Sequence, residues 1–288
     1  MYAKNFYPLT EAFNGPKALV IPGAYDAFSA MLVQAAGYPA VYVGSYATAA
    51  AGFGLPDVGV LTLDELARHA RSVSGAVTVP VIADAEGGFF DPANIWRTVQ
   101  AFEDAGVAAI HIEDHAGGKH TNLEQKLIPL DLMLQRLKAA LDARRNPDFI
   151  IIARTDAIWA THDIDECVTR LKAFAQIGIT HFFANGADPA TLREIKKQVP
   201  GKYIVINLPS VRNRDEWDGA ADVVIDYAFC LLAVSKALQG ALHQYKNNSD
   251  ADHSDALIED FEAFEHRLGY ADFTERALCY SHNDKTRT

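Results

Sequence analysis

Three pairs of chemistry-bearing residues stand two positions apart at the ends of apolar runs: Asp84 and Glu86 in VIADAEGGFF, His111 and Glu113 in AAIHIED, Arg154 and Asp156 in FIIIARTD. In an extended strand, residues i and i+2 share a face, so each pair is aimed to one side. Carboxylates brought together repel one another unless a cation lies among them. Oxygen ligands without thiolate or imidazole suit a hard divalent ion, so Asp84, Glu86 and Glu113 point to Mg2+, with Mn2+ as the alternative. His111 reads as an interior or supporting histidine rather than a ligand.

The runs that carry these residues are β-rich and short. They are Ala18–Gly23, Ala40–Ser45, Val79–Glu86, Ala108–Asp114, Phe149–Asp156, Thr180–Asn185, Tyr203–Pro209 and Asp222–Tyr227. Stretches with helical spacing lie between them, such as Pro92–Gly106 and Ile164–Gly178, each closing on a glycine suited to a left-handed cap. Alternation of this kind implies parallel strands joined by helical crossovers, and eight repeats favour a closed (β/α)8 TIM-type barrel over a doubly wound sheet. Such a barrel opens the C-terminal ends of all its strands onto one face. There Ser45, Asp84, Glu86, Glu113, Arg154, Asp156, Asn185, Asn207 and Asp226 become neighbours.

The remaining composition narrows the function classes. Acidic residues outnumber basic ones, 37 to 26, so the surface field opposes a nucleic-acid backbone. Three cysteines, Cys167, Cys230 and Cys279, are far apart and lack the spacing of a disulfide framework or zinc site. No N-terminal apolar core and no run of about 18 apolar residues points to secretion or a membrane, so a cytoplasmic protein is expected. The division expected is a catalytic barrel over 1–245, then a polar linker, a C-terminal helix and a tail over 246–288. The linker precedes an amphipathic segment that permits exchange between subunits of a homo-oligomer, a tetramer or a dimer.

Five stretches carry a family likeness: IPGAYDAFSA, GLPDVGVLTLDE, VPVIADAEGGF, AGVAAIHIEDHAGGK and PDFIIIARTDA. Together they make the chain resemble the isocitrate lyase and phosphoenolpyruvate mutase superfamily, with methylisocitrate lyases nearest, from about Pro22 to Asp226. The resemblance implies a Mg2+-dependent barrel enzyme that breaks C–C or C–P bonds of small 2-keto or 2-hydroxy acids next to an enolate. It implies Asp84 as the direct metal ligand, with Asp57, Glu86 and Glu113 acting through water. Ser45 and Tyr46 then cradle the substrate with Asp57, Asn185 and Asn207, and Arg154 binds it. A guanidinium fork can hold a carboxylate while the metal takes up charge on the neighbouring oxygen.

The loop after the fourth strand departs from the C–C lyases of this superfamily. They carry a cysteine there within a Lys-Arg-Cys-Gly-His motif, whereas this chain reads EDHAGGKHTNLEQ. Its KHTN is similar to the Lys-Thr-Asn motif of phosphoenolpyruvate mutase, which brings in Lys119, His120 and Asn122. Lys119 is expected to stabilise developing charge and His120 to act as acid or base, on a loop that closes as a lid. Cleavage of an oxaloacetate-, malate- or methylisocitrate-type substrate is the leading reading. C–P chemistry on phosphonopyruvate and a non-catalytic metal- and carboxylate-binding homologue are the alternatives.

Overall fold

The computed structural model describes residues 9–211, 213–247 and 257–280. Eight parallel strands close into a barrel in sequence order. They are β1 Leu19–Ala24, β2 Val41–Val43, β3 Val81–Asp84, β4 Ala109–Glu113, β5 Ile150–Thr155, β6 His181–Ala184, β7 Lys202–Ile206 and β8 Val223–Asp226. The expected (β/α)8 architecture is what forms, and β1 pairs with β8 to shut it.

The alternation of side chains explains how the barrel makes a site. One set of alternate positions packs inside it: Ile21, Tyr42, Ile82, Ala109, Ile150, Ile152, Phe183, Ile204, Val223 and Ile225, with Leu9 and Phe13 joining from the N-terminal segment. The other set, including Val81, Ala83, Ile110, Ile112, Ile151 and Phe182, packs outward with Leu66, Val99, Phe102, Leu137, Leu171 and Leu192 of the surrounding helices. Followed to the C-terminal ends, the inward positions turn polar, from Ile82 to Asp84, from Ala109 through His111 to Glu113, and from Ile152 to Arg154. The apolar layers below hold that polar layer in place.

The crossover helices include α1 Ala27–Ala35, α2 Leu63–Ala76, α3 Trp96–Ala105, α4 Leu130–Ala143, α5 Ile164–Gln176 and α6 Pro189–Gln198. Helix α2 begins at a capping box in which Thr62 and Glu65 satisfy each other's backbone N–H groups. The segment read as one helix over Pro92–Gly106 divides into a 3-10 turn, Pro92–Asn94, and α3, which ends at Gly106 in the left-handed conformation. Between β7 and β8 the connection holds a 3-10 turn, Arg214–Trp217, whose Trp217 is fully buried.

Helix α7 runs from Phe229 to Asn247, so Lys246 and Asn247, read as the start of the linker, are helical. The rest of that linker and the tail from Ser281 lie outside the described residues. The amphipathic segment forms two helices, α8 Phe261–Leu268 and α9 Tyr270–Tyr280, because Gly269 adopts φ 81° and ends the first. Contacts group the described residues up to Leu232 into one compact unit and those from Ala233 into a second. Among the described residues, no helix is long and apolar enough to cross a membrane.

Candidate functional site

A cavity of about 330 Å3 opens at the C-terminal end of the barrel. Ser45, Tyr46, Asp57, Asp84, Lys119, His120, Arg154, Asn185 and Asn207 all line it. The strand ends thus bring together nearly every residue the sequence singled out. Asn122 lies exposed on the loop and does not line the cavity, and Glu86 and Glu113 line a neighbouring pocket that shares Lys119 with it.

Asp84 ends β3 and is gripped through both oxygens. Its Oδ2 accepts from Ser45 Oγ at 2.9 Å, and its Oδ1 accepts from the Glu86 N–H at 2.8 Å. Burial opposes its ionisation, but His111 when protonated, Lys119 and Arg154, with the Glu86 N–H, outweigh that and hold the carboxyl below the usual range. His111 is itself pushed down to about 4 by burial, against the pull of Asp84. At neutral pH the imidazole is therefore uncharged, and Lys119 and Arg154 carry the effect.

Glu86 reaches the site by a route the strand pattern does not contain. The sheet ends at Asp84, and Glu86 turns with φ 50°, a left-handed conformation unusual for a residue with a side chain. Gly88 follows at φ 89°, where an added Cβ would meet Ile95 Cδ1 at 2.7 Å. Gly88 thus serves the turn that packs onto Ile95.

Lys119 lies 4% exposed, with Nζ 2.7 Å from Glu86 Oε2 and 2.8 Å from Glu113 Oε1. Burial pushes Glu113 up, to about 8, against the attraction of Arg154 and Lys119. Burial and Asp84 raise Glu86 as well.

Arg154 is buried, and Asp156 holds its Nε and Nη2 at 2.7 and 3.1 Å, while Glu113 Oε2 lies 3.3 Å from Nε. Phe183 stacks beneath the guanidinium at 4.9 Å. Among the described residues Nη1 has no protein hydrogen-bond partner, which leaves it for a ligand. Asn185 donates to Asp156 Oδ1 at 3.0 Å, and Asn207 approaches Asp226 at 3.5 Å. Trp159, Leu208, Pro209 and Leu232 form an apolar wall.

The loop after β4 is pinned rather than free. His115 is 6% exposed; Gln125 Oε1 lies 2.9 Å from its Nε2, and the Gly117 N–H donates to its Nδ1. His120 sits at the mouth with φ 59°, its Nε2 3.5 Å from Asp57 Oδ2, between Tyr46 and Trp159. No cysteine lines the cavity: Cys167 is buried in α5, Cys230 lies just past β8, and Cys279 is in α9.

The group also fits a metal ion. Ligand atoms of Asp84, His111 and Glu113 lie within 4.8 Å of one another. Glu113 Oε2 and His111 Nδ1 are buried without a hydrogen-bond partner. An orphaned buried carboxylate oxygen beside Asp84 is what a divalent cation satisfies, and the carboxylates supply hard donors for it.

Comparison with known proteins follows the same lines. The sequence pattern of the family described as "Phosphoenolpyruvate phosphomutase" matches residues 10–241. The chain belongs to the phosphoenolpyruvate phosphomutase family. Within the phosphoenolpyruvate mutase and isocitrate lyase superfamily it is 37% identical to a 2,3-dimethylmalate lyase of Eubacterium barkeri over 203 residues, covering 69% of this chain and 70% of that protein. A 2-methylisocitrate lyase of Escherichia coli is 38% identical over 175 residues, 60% of this chain and 59% of that protein. The solved phosphoenolpyruvate phosphomutase of Streptomyces platensis subsp. rosaceus superposes with a TM-score of 0.87 at 27% identity, covering 95% of this chain and 98% of that one.

Tyr42 is the site residue the sequence reading passed over. It stands inside a strand among apolar neighbours, where a tyrosine reads as core, yet it lines the cavity and its hydroxyl meets His111 at 2.9 Å.

Proposed function

We propose that this chain is a Mg2+-dependent carbon–carbon lyase that cleaves a small 2-keto or 2-hydroxy dicarboxylate through an enolate, with Mn2+ able to replace Mg2+. The observation that carries the reading is the convergence of Glu86 and Glu113 on Lys119, which lines with Asp84 a cavity that also presents the unpaired Nη1 of Arg154. Asp84 would hold the ion directly, and Asp57, Glu86 and Glu113 through water. When bound, a divalent cation there stabilises the negative charge that develops on an enolate oxygen.

The chain's own residues divide the remaining work. Arg154 orients a substrate carboxylate through Nη1, with its fork fixed in advance by Asp156. Ser45, Tyr46, Asn185 and Asn207 shape the bed in which the substrate lies. Lys119 lends positive charge and ties the loop down over the cavity, which excludes water. His120, at the mouth and facing Asp57, delivers the proton that quenches the enolate carbon in place of a thiol.

Charge selects among substrates. Lys119 spends two of its three N–H donors and its charge on glutamates, and Arg154 offers one free nitrogen, while Trp159, Leu208, Pro209 and Leu232 face the other side. This favours malate- or oxaloacetate-sized dicarboxylates over a methylisocitrate-type tricarboxylate, whose third carboxylate has no cation to meet.

A coupled assay for released 2-keto acid over a panel of malates, oxaloacetate and methylisocitrate, with Mg2+ and with EDTA, tests this. Turnover that survives EDTA rules it out. Phosphorus NMR with phosphonopyruvate separates C–C from C–P cleavage.

The proposal extends to location and assembly. A cytoplasmic homo-oligomer, tetramer or dimer, accords with exposed Leu238, Leu242, Phe261, Phe273 and Tyr280 in the C-terminal unit. On this reading the barrel over 1–245 is catalytic and 246–288 serves assembly. Light scattering on the eluting protein measures the state.

A further inference from the structure

We infer that Tyr42 and His111 are positioning residues for Asp84: the Tyr42 hydroxyl fixes the His111 tautomer whose Nδ1–H faces the Asp84 carboxylate and aligns it for a divalent cation. The inference rests on the metal-site reading above and adds to it two residues that hold no ion themselves.

Three adjacent strands build the relay. The β3–β4 register sets Asp84 directly beside His111, and β2 brings Tyr42 up on the same interior face. The Tyr42 and His111 rings stack with centroids 5.9 Å apart and planes 10° from parallel, and Phe183 closes the edge of the imidazole at 5.2 Å. His111 is fully buried and cannot swing to another partner.

Hydrogen-bond satisfaction decides the tautomer. Among the described residues the Tyr42 hydroxyl has one protein partner, His111 Nε2 at 2.9 Å. A buried O–H must donate, so Nε2 accepts and the neutral ring carries its proton on Nδ1. That nitrogen has no hydrogen-bond partner and lies 3.6 Å from Asp84 Oδ1. The opposite tautomer would set a bare Nδ1 lone pair against a carboxylate and leave the tyrosine proton without an acceptor. In the tautomer assigned, the N–H dipole steadies Oδ1 without adding net charge to the cluster, and Ser45 steadies Oδ2.

The test is Mn2+ affinity, read from the electron paramagnetic resonance of free ion, on the full chain. The proteins are wild type, Tyr42→Phe, His111→Asn, His111→Leu and the double variant Tyr42→Phe/His111→Asn. Asparagine keeps a donor near the Nδ1 position and lacks Nε2. Tyr42→Phe and His111→Leu are expected to bind about tenfold more weakly. His111→Asn should stay near wild type, and Tyr42→Phe should cost nothing further in its background.

A simple packing role for Tyr42 predicts the same loss in both backgrounds, and that additive result overturns the relay. So does a Tyr42→Phe protein that binds as wild type does. If Tyr42→Phe does not fold by circular dichroism, equal affinities of His111→Asn and His111→Leu overturn it instead. A wild-type protein that binds no Mn2+ removes the metal reading and the relay with it, which keeps the two failures apart.

Discussion

Asp156 holds the Arg154 guanidinium through both carboxylate oxygens, although the two residues are only two positions apart on the chain. Asp156 is held in turn: its backbone N–H donates to Asp114 Oδ1 at 2.9 Å, and Asp114 Oδ2 meets Arg170 at 3.2 Å. Burial opposes the Asp156 charge, and Arg154 outweighs it and keeps the carboxyl below its ordinary value. A buried chain from Arg170 through Asp114 and the Asp156 backbone therefore fixes the guanidinium and the direction of its unpaired Nη1.

Asp156→Asn should lower kcat/KM by about 100-fold, since loss of a fixed orientation by about an ångström carries a cost of that order. It should also lower stability by about 3–5 kcal/mol, as expected when one partner of a buried pair is removed. Steady-state kinetics and urea unfolding read the two effects separately. A variant that keeps its KM and kcat would show that Asp156 does not orient the arginine.

Asp84→Asn should abolish stabilisation by divalent cations. Wild-type protein at a Mg2+ concentration 100 times its Kd should gain about 2.7 kcal/mol. Melting curves with and without Mg2+ measure it, and an unchanged shift in the variant would exclude Asp84 as the anchor.

Lys119→Met should loosen the loop while leaving the barrel folded. Glu86 and Glu113 lose their shared ammonium, and the segment between His115 and Leu127 loses its tie to the metal site. Limited proteolysis should cut there several times faster than in wild type. Divalent cation affinity should rise, because the two glutamates would have no competing cation; weaker binding would contradict the role given to Lys119.

His181 provides a pH test away from the site. Burial pushes its imidazole down from 6.5 to about 4 in the folded protein, with Lys202 adding to the effect. Between these values the unfolded chain binds the proton and the folded chain does not. Its contribution is therefore complete above pH 6.5 and lost as the pH falls to about 4, at about 1.4 kcal/mol per unit before solvent screening reduces it. Glu113 and Asp114, raised by burial to about 8 and about 6, act in the opposite sense. The difference between wild type and His181→Gln isolates the histidine, and its urea midpoint difference should shrink across that interval.

Pleat parity made much of this site legible in advance. His111 with Glu113, and Ile152 with Arg154, follow the two-residue period, so the inward column and its polar end could be read from the letters. Glu86 obeyed the expectation for a different reason, because a left-handed turn and not the pleat returns its side chain to the cluster. Lys119 gave no local signal of the carboxylates it would reach, since a long side chain on a loop has many destinations. Tyr42 was hidden by its own surroundings: only the register of β2, β3 and β4 reveals that its hydroxyl meets a histidine. The break at Gly269 was also missed, because one glycine inside a helical pattern is a weak signal and the segment reads as one helix.

The loop after β4 is sealed at its base by an antiparallel bridge between His115 and Leu127, with Ala116 donating to the Lys126 carbonyl and Ile128 to that of Asp114, both at 2.8 Å. Both ends are thereby anchored to the same place on the barrel, whatever lies between them. The strands that carry the acids need not change when the intervening residues do. The site is thus built in two separable parts, strand ends that hold charge and an insert on a closed base, so residues of the insert can be exchanged without refolding the core.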